Sequence, residues 1–265
     1  MLKCQGAEPR KLLFLTRRWS SVVLLCLVIF PSALFAFSDS YVASFQKKIS
    51  YKPIGERIAL WAEQFVGTPY DPDPLGTYVT RKVIVADDRV DCMYHSFRTL
   101  ELAMSQTPEE AIRIALDKRF IERGILRNNV VVNYQDRFQY GEDMLDSGKW
   151  GREITGEIGP LTSIKGSRGR AKVDMVSKKY LIKYFKEISQ HNINNGDIVF
   201  FIKSPGSRVA DEIVGHIGII KREGKDIYLI HASGRKLRDG EVRKVLLLDY
   251  VSTMSFAGVR VSRIP

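Results

Sequence analysis

The apolar positions of this chain follow two different periods. In the first half they recur at helical spacing. Residues 55–66 (GERIALWAEQFV) place Ile58, Leu60, Trp61 and Phe65 on a helical pattern that stops at Gly67, a C-cap signal. The stretch Thr68–Gly76 contains Pro69, Pro72 and Pro74, which exclude helix and inner strand and predict a loop. Val79–Val85 predicts a strand. Asp91–Ser105 predicts a helix with Met93, Phe97, Leu100, Leu102 and Met104 as apolar positions. Thr107-Pro108-Glu109-Glu110 is a capping box with proline at the first helical position, so a further helix is expected to about Arg123. Residues 137–147 predict a short helix. Residues 151–170, rich in Gly, Ser and charge, predict a surface loop or flap. Residues 177–188 predict a basic amphipathic helix.

From residue 196 the pattern changes to short β-rich runs divided by Gly, Asn, Asp or Pro. These are 198–202, 216–221, 226–231, 244–251 and 258–264. A helical half followed by an antiparallel sheet, with no composition break between them, predicts one α+β domain over residues 37–265.

Residues 1–36 read differently. A basic start (Arg10, Lys11, Arg17, Arg18) precedes an apolar run from Val22 to Ala36, interrupted by Pro31 and Ser32 and followed by Asp39. This is the three-part pattern of a secretory signal, with an uncleaved N-terminal anchor as the alternative. The expectation is an exported protein of the periplasm or cell envelope, with no stable membrane insertion after cleavage and a monomeric state. The chain has 265 residues and a net charge of +11; without residues 1–36 the net charge falls to +7. Cys4 and Cys26 lie in the leader, so the remainder holds one cysteine, Cys92, and no internal disulfide can form.

Cys92 stands at the expected start of a helix, where unpaired backbone N–H groups and the positive end of the helix dipole favour a thiolate and can bind an oxyanion. A small buried apolar residue is the ordinary alternative for a lone cysteine. Two of the four histidines fall in the β-rich half. His216 heads one strand and His231 closes the next, after a turn at Glu223–Asp226. A hairpin brings the start of one strand beside the end of its partner, so the two rings can be neighbours. A cysteine nucleophile needs a base, and the base needs an orienting group. Cys92, His216 and His231 can supply these roles. A zinc site is the competing chemistry, but there is no Cys-x-x-Cys and no close histidine pair, so the spacing is against it.

The helix-start Asp91-Cys92, Gly196-Asp-Ile-Val, Gly-His216-Ile-Gly-Ile and Ile-His231-Ala-Ser resemble the NlpC-type branch of the papain-like cysteine hydrolases. More narrowly, the chain resembles the bacterial N-acetylmuramoyl-L-alanine amidase-like family. That similarity also rests on Gly67-Thr-Pro-Tyr70, Arg89-Val-Asp-Cys92, Asn133-Tyr-Gln-Asp-Arg137-Phe-Gln-Tyr140, Leu248-Asp-Tyr250 and Gly258-Val-Arg-Val, in order over residues 55–263. The resemblance implies a papain-like α+β fold, with the cysteine helix packed on an antiparallel sheet or half-barrel. It also implies hydrolysis of an amide bond in peptidoglycan or a muropeptide, with no metal and no organic cofactor. Cys92 would be the nucleophile, His216 the base and His231 its orienting partner, with Tyr70 lining the site. The bond between muramic acid and L-alanine is the leading choice, and a γ-D-glutamyl-type stem-peptide endopeptidase is the alternative. A catalytically inert wall-binding module is the alternative of another class. The chain departs from the family after Asp-Cys, where it runs Met93-Tyr94-His95-Ser96-Phe97. His95, three residues beyond Cys92 on nearly the same helical face, could tune the thiolate, but it is expected to be a partly exposed polar residue.

Tyr134, Arg137 and Tyr140 form a polar-aromatic cluster in which the guanidinium can fork onto a stem-peptide carboxylate, or else pin a loop. Asp91, Asp211 and Ser233 are further candidates for substrate contact. The basic stretches 165–172 and 178–186 invite nucleic acid as a partner. Export argues against that reading, and the excess of positive charge suits a polyanionic wall.

Overall fold

The computed structural model describes residues 37–187, 192–235 and 238–265, which belong to one compact unit. The expected leader, residues 1–36, and His191 lie outside the described residues.

Helices α1 (Asp39–Ile49), α2 (Ile54–Gln64), α3 (Thr77–Thr80), α4 (Cys92–Met104) and α5 (Pro108–Lys118) come first. A small hairpin, β1 (Leu126–Arg127) and β2 (Val130–Val131), precedes α6 (Gly141–Asp146). Then follow β3 (Arg152–Glu153), α7 (Thr155–Ile158), β4 (Leu161–Lys165), β5 (Lys172–Ser177) and α8 (Lys178–Glu187). The last elements are β6 (Ile198–Ile202), β7 (Val214–Glu223), β8 (Asp226–Arg235), β9 (Arg238–Leu246), α9 (Leu247–Thr253) and β10 (Gly258–Arg263). The main sheet runs β4-β5-β10-β6-β7-β8-β9, with β3 also on β10, and every pairing is antiparallel. This is an α+β architecture.

Strand β6 sits in mid-sheet, and its five residues are all buried. Ile198, Phe200 and Ile202 join the core beneath α2 and α4, whereas Val199 and Phe201 join Leu181 of α8 and Leu247 and Val251 of α9. Period-two alternation thus supplies both faces of the sheet, each covered by helices. Helix α4 packs on β7 and β8. Beneath it, Arg119 donates to both carboxylate oxygens of Glu101 at 2.5 and 2.6 Å and to the Ile84 carbonyl at 2.8 Å. Arg98 donates to Asp87 at 3.0 Å. All four side chains are buried, so the charges must pair with one another.

Four local expectations are corrected. Residues 79–85 are not a strand. Asp71 accepts from the Thr77 N–H at 2.5 Å and from its hydroxyl at 2.8 Å, which nucleates the short helix α3 instead. The capping-box helix ends at Lys118 rather than near Arg123, because Arg119 turns inward to Glu101 and the Gly124 N–H donates to the Leu116 carbonyl. Residues 151–170 are not one loop: β3 pairs with β10, and β4 pairs with β5 at the sheet edge, where polar residues are tolerated. Residues 247–251 leave the predicted strand and form α9, whose buried Leu247 and Val251 are spaced one helical turn apart.

Candidate active site

The site forms where the start of α4 meets the ends of β7 and β8. Asp91 is the N-cap of α4, and its carboxylate accepts from the Tyr94 N–H at 2.8 Å. That bond consumes one of the helix's unpaired donors and fixes Cys92 as the first helical residue. Cys92 is half-buried and not in a disulfide.

The β7–β8 ladder runs from Glu223↔Asp226 to Ile219↔Ile230. Beyond that last pair lie His216 and His231, and their rings meet there: His216 Nε2 is 2.8 Å from His231 Nδ1, with the rings perpendicular. Tyr250 of α9 covers both, its ring centroid 4.7 Å from that of His231 and 5.9 Å from that of His216. Phe201 supports His216 from the neighbouring strand.

Loss of solvent pushes the His231 pKa down to about 4, and Arg243 adds to the effect. His231 is therefore neutral at physiological pH, and the contact joins one ring N–H to one unprotonated ring nitrogen. With the proton on His216 Nε2 and His231 Nδ1 accepting, His216 Nδ1 is left unprotonated, the tautomer that a base facing a thiol requires. Burial, then His231 and His95, also hold His216 well below the ordinary histidine range. The phenols of Tyr70 and Tyr250 are raised by burial, with Cys92 the next cause in each case, so both stay protonated.

Two clefts meet at Gly215 and His216. The first, about 550 Å³, is lined by Cys92, His216, Tyr70, Asp91, Arg137 and Tyr140, with Val209 and Glu212 on its rim. The second, about 750 Å³, is lined by His216, His231, Ser233, Arg243 and Tyr250 together with Lys203. The sequence candidates thus divide. Cys92, His216, Tyr70, Asp91, Arg137 and Tyr140 share one cleft, and His231 and Ser233 lie on the other. Tyr134 lines neither: it is buried against Tyr78 and Phe120, and its hydroxyl donates to the Val83 carbonyl at 2.5 Å. Asp211 also lines neither; it is exposed, with φ 61°, and its carbonyl accepts from the Ser167 hydroxyl. His95 is fully buried edge-on against Phe65, not partly exposed, because its face of α4 packs on α2. Among the described residues no group of three His, Cys, Asp or Glu side chains is placed to hold a metal ion.

Tyr250, Lys203 and Arg243 were not singled out as site residues in the sequence. Tyr250 lies in a motif noted above, but its role depends on the helical turn that carries it over the two histidines. Tyr70 is held by a different device. Its N–H donates to the Gly240 carbonyl at 2.7 Å, and its ring lies so close over Gly234 that a Cβ there would sit 2.2 Å from a ring carbon.

The fold defines a mixed α+β domain built on an antiparallel sheet, and solved structures share that fold. A Bacteroides uniformis N-acetylmuramoyl-L-alanine amidase is similar at 17% identity and TM-score 0.58, over 79% of this chain and 98% of its own. A Legionella pneumophila protein of the DUF1460 family is similar at 16% identity and TM-score 0.63, over 86% of this chain and 94% of its own. A Bacteroides fragilis protein provisionally named a xylanase is similar at 21% identity and TM-score 0.57, over 78% of this chain and all of its own. No family model matches the chain, and no curated protein matches it.

Proposed function

We propose that this protein is an exported cysteine amidohydrolase of papain-like, NlpC-type fold that cleaves peptidoglycan between muramic acid and L-alanine. The observation that carries the proposal is the 2.8 Å contact between His216 Nε2 and His231 Nδ1, with His216 sharing a cleft with Cys92. The amidase named among the proteins that share the fold supports the choice of substrate.

In this mechanism His216 Nδ1 takes the Cys92 thiol proton, and the sulfur attacks the lactoyl carbonyl carbon. The Cys92 N–H at the helix start and the protonated Tyr70 stabilise the oxyanion. Collapse breaks the C–N bond as His216 returns the proton to the departing L-alanine nitrogen. Water, deprotonated by His216, then hydrolyses the thioester and releases the lactoyl acid and the thiol. His231 accepts from His216 Nε2 throughout and holds the ring in the tautomer the cycle needs.

The test is mass spectrometry of purified muropeptides incubated with the protein. Release of an intact stem peptide from the lactoyl group supports the amidase. A truncated stem moves the cleavage to the endopeptidase bond, and unchanged muropeptides together with ordinary thiol reactivity at Cys92 support an inert wall-binding module.

A further inference from the structure

The β4–β5 hairpin contributes nothing to the lining of the Cys92 cleft, yet its turn (residues 166–171) touches both of the cleft's walls. On one side Arg168, held at φ 52°, lays its guanidinium 3.5 Å from the centroid of the Tyr140 ring. It pairs with Glu142 at 3.1 Å and with Asp143 at 2.8 Å, and Arg170 pairs with Asp143 and Asp146, each at 2.8 Å. On the other side the Ser167 hydroxyl donates to the Asp211 carbonyl at 2.6 Å. Arg208 donates to Ser167 Oγ at 3.1 Å and to the Lys165 carbonyl at 2.8 Å. Val209, Ala210 and Glu212 form that second wall, and Asp211, which does not itself line the cleft, shares with Ala210 a positive φ.

Glu142 links the clasp to the catalytic strand. Its fully buried carboxylate accepts from the N–H groups of Ile213 at 3.2 Å and Val214 at 3.1 Å, at the start of β7 and two residues before His216. Arg168 is the cation paired with that buried carboxylate, so its fork, its stacking on Tyr140 and the seating of β7 depend on one side chain.

We propose that the β4–β5 turn is a clasp that fixes the width of the Cys92 cleft, with Arg168 as its positioning residue and large muropeptide substrates as the ligands whose fit it controls. The substrate half of this proposal rests on the function proposed above; the clasp itself does not. Without Arg168, Tyr140 and the Glu142 carboxylate that seats the start of β7 lose their tie to the turn, and the cleft widens toward solvent. Small reagents already reach Cys92 and gain little, whereas bulky ones gain access.

The experiment compares Arg168→Ala with wild type in the full chain. Rates of Cys92 modification by iodoacetamide and by a fluorescein maleimide are read at the Cys92 peptide by mass spectrometry. The clasp predicts that the maleimide-to-iodoacetamide rate ratio rises about fivefold, and that KM for a disaccharide-pentapeptide rises about tenfold while kcat falls by less. Arg168→Lys keeps the charge but not the fork and lies between the two. A rate ratio within about twofold of wild type overturns the clasp. If Arg168→Ala does not fold, the double variant Ser167→Ala/Arg208→Ala removes the opposite arm and must raise the ratio in the same direction; no rise overturns the proposal. A wild-type protein inert toward muropeptides counts against the proposed function and leaves the thiol ratio to decide the clasp.

Discussion

Replacing His231 with alanine removes the hydrogen-bond partner of the proposed base while leaving Cys92 and the first cleft in place. In the resting protein the 2.8 Å contact joins two neutral rings. When His216 carries the thiol's proton, the contact becomes a charge-assisted bond, worth about 1.5–3 kcal/mol. The loss falls on the protonated state, so it raises the barrier rather than weakening binding. At 1.4 kcal/mol per decade it predicts a fall of about 10- to 150-fold in kcat with KM nearly unchanged. His216 would also be free to place its proton on Nδ1, the nitrogen that must accept from the thiol, which adds to the loss. His231→Gln, which keeps an acceptor oxygen, should recover part of the rate. The assay is steady-state hydrolysis of a purified muropeptide, with circular dichroism to verify folding. A folded His231→Ala variant whose kcat lies within about threefold of wild type would refute the orienting role.

Three further outcomes follow from the structure. His95, His216 and His231 all have depressed pKa values, about 3 for His95 and about 4 for His231, so the unfolded chain binds more protons below the ordinary histidine pKa. Stability should therefore fall as pH drops from about 6.5 toward 4, and His95→Phe should reduce that slope by about 1.4 kcal/mol per pH unit in urea titrations; an unchanged slope would contradict the buried neutral His95. Glu101→Ala strands the buried guanidinium of Arg119 and should cost about 3–5 kcal/mol in equilibrium unfolding. Gly234→Ala pushes a Cβ into the Tyr70 ring and should lower kcat/KM about tenfold at nearly constant melting temperature, which a thermal scan and a rate measurement check together.

The sequence was most informative where a local pattern settles a local structure. The helix start at Asp91-Cys92, the N-terminal cap at Thr107 and the hairpin between His216 and His231 each need only a few neighbouring residues, and each stands where the pattern placed it. The misreadings share a cause. Val79–Val85 has strand-like residues, but Asp71, a short way upstream, turns the chain into a helical turn. Tyr134 belongs to a polar-aromatic motif that looks like recognition, yet its hydroxyl is used up on Val83, about fifty residues earlier in the chain. The polar run 151–170 has too few apolar residues to announce a strand and becomes one because β5 and β10 offer it edges to pair with. Arg168, Glu142 and Tyr250 owe their placement beside the site to contacts with residues distant in sequence, which no local period records.

The central claim is that Cys92 sulfur forms a covalent acyl intermediate. Rapid acid quench of the wild-type protein with a disaccharide-pentapeptide, followed by peptide mass mapping, tests it most directly. The account predicts a muramoyl-lactoyl adduct on the peptide containing Cys92 and none on any other, with no adduct and no turnover in a folded Cys92→Ala variant. Turnover that survives in that variant would contradict the account.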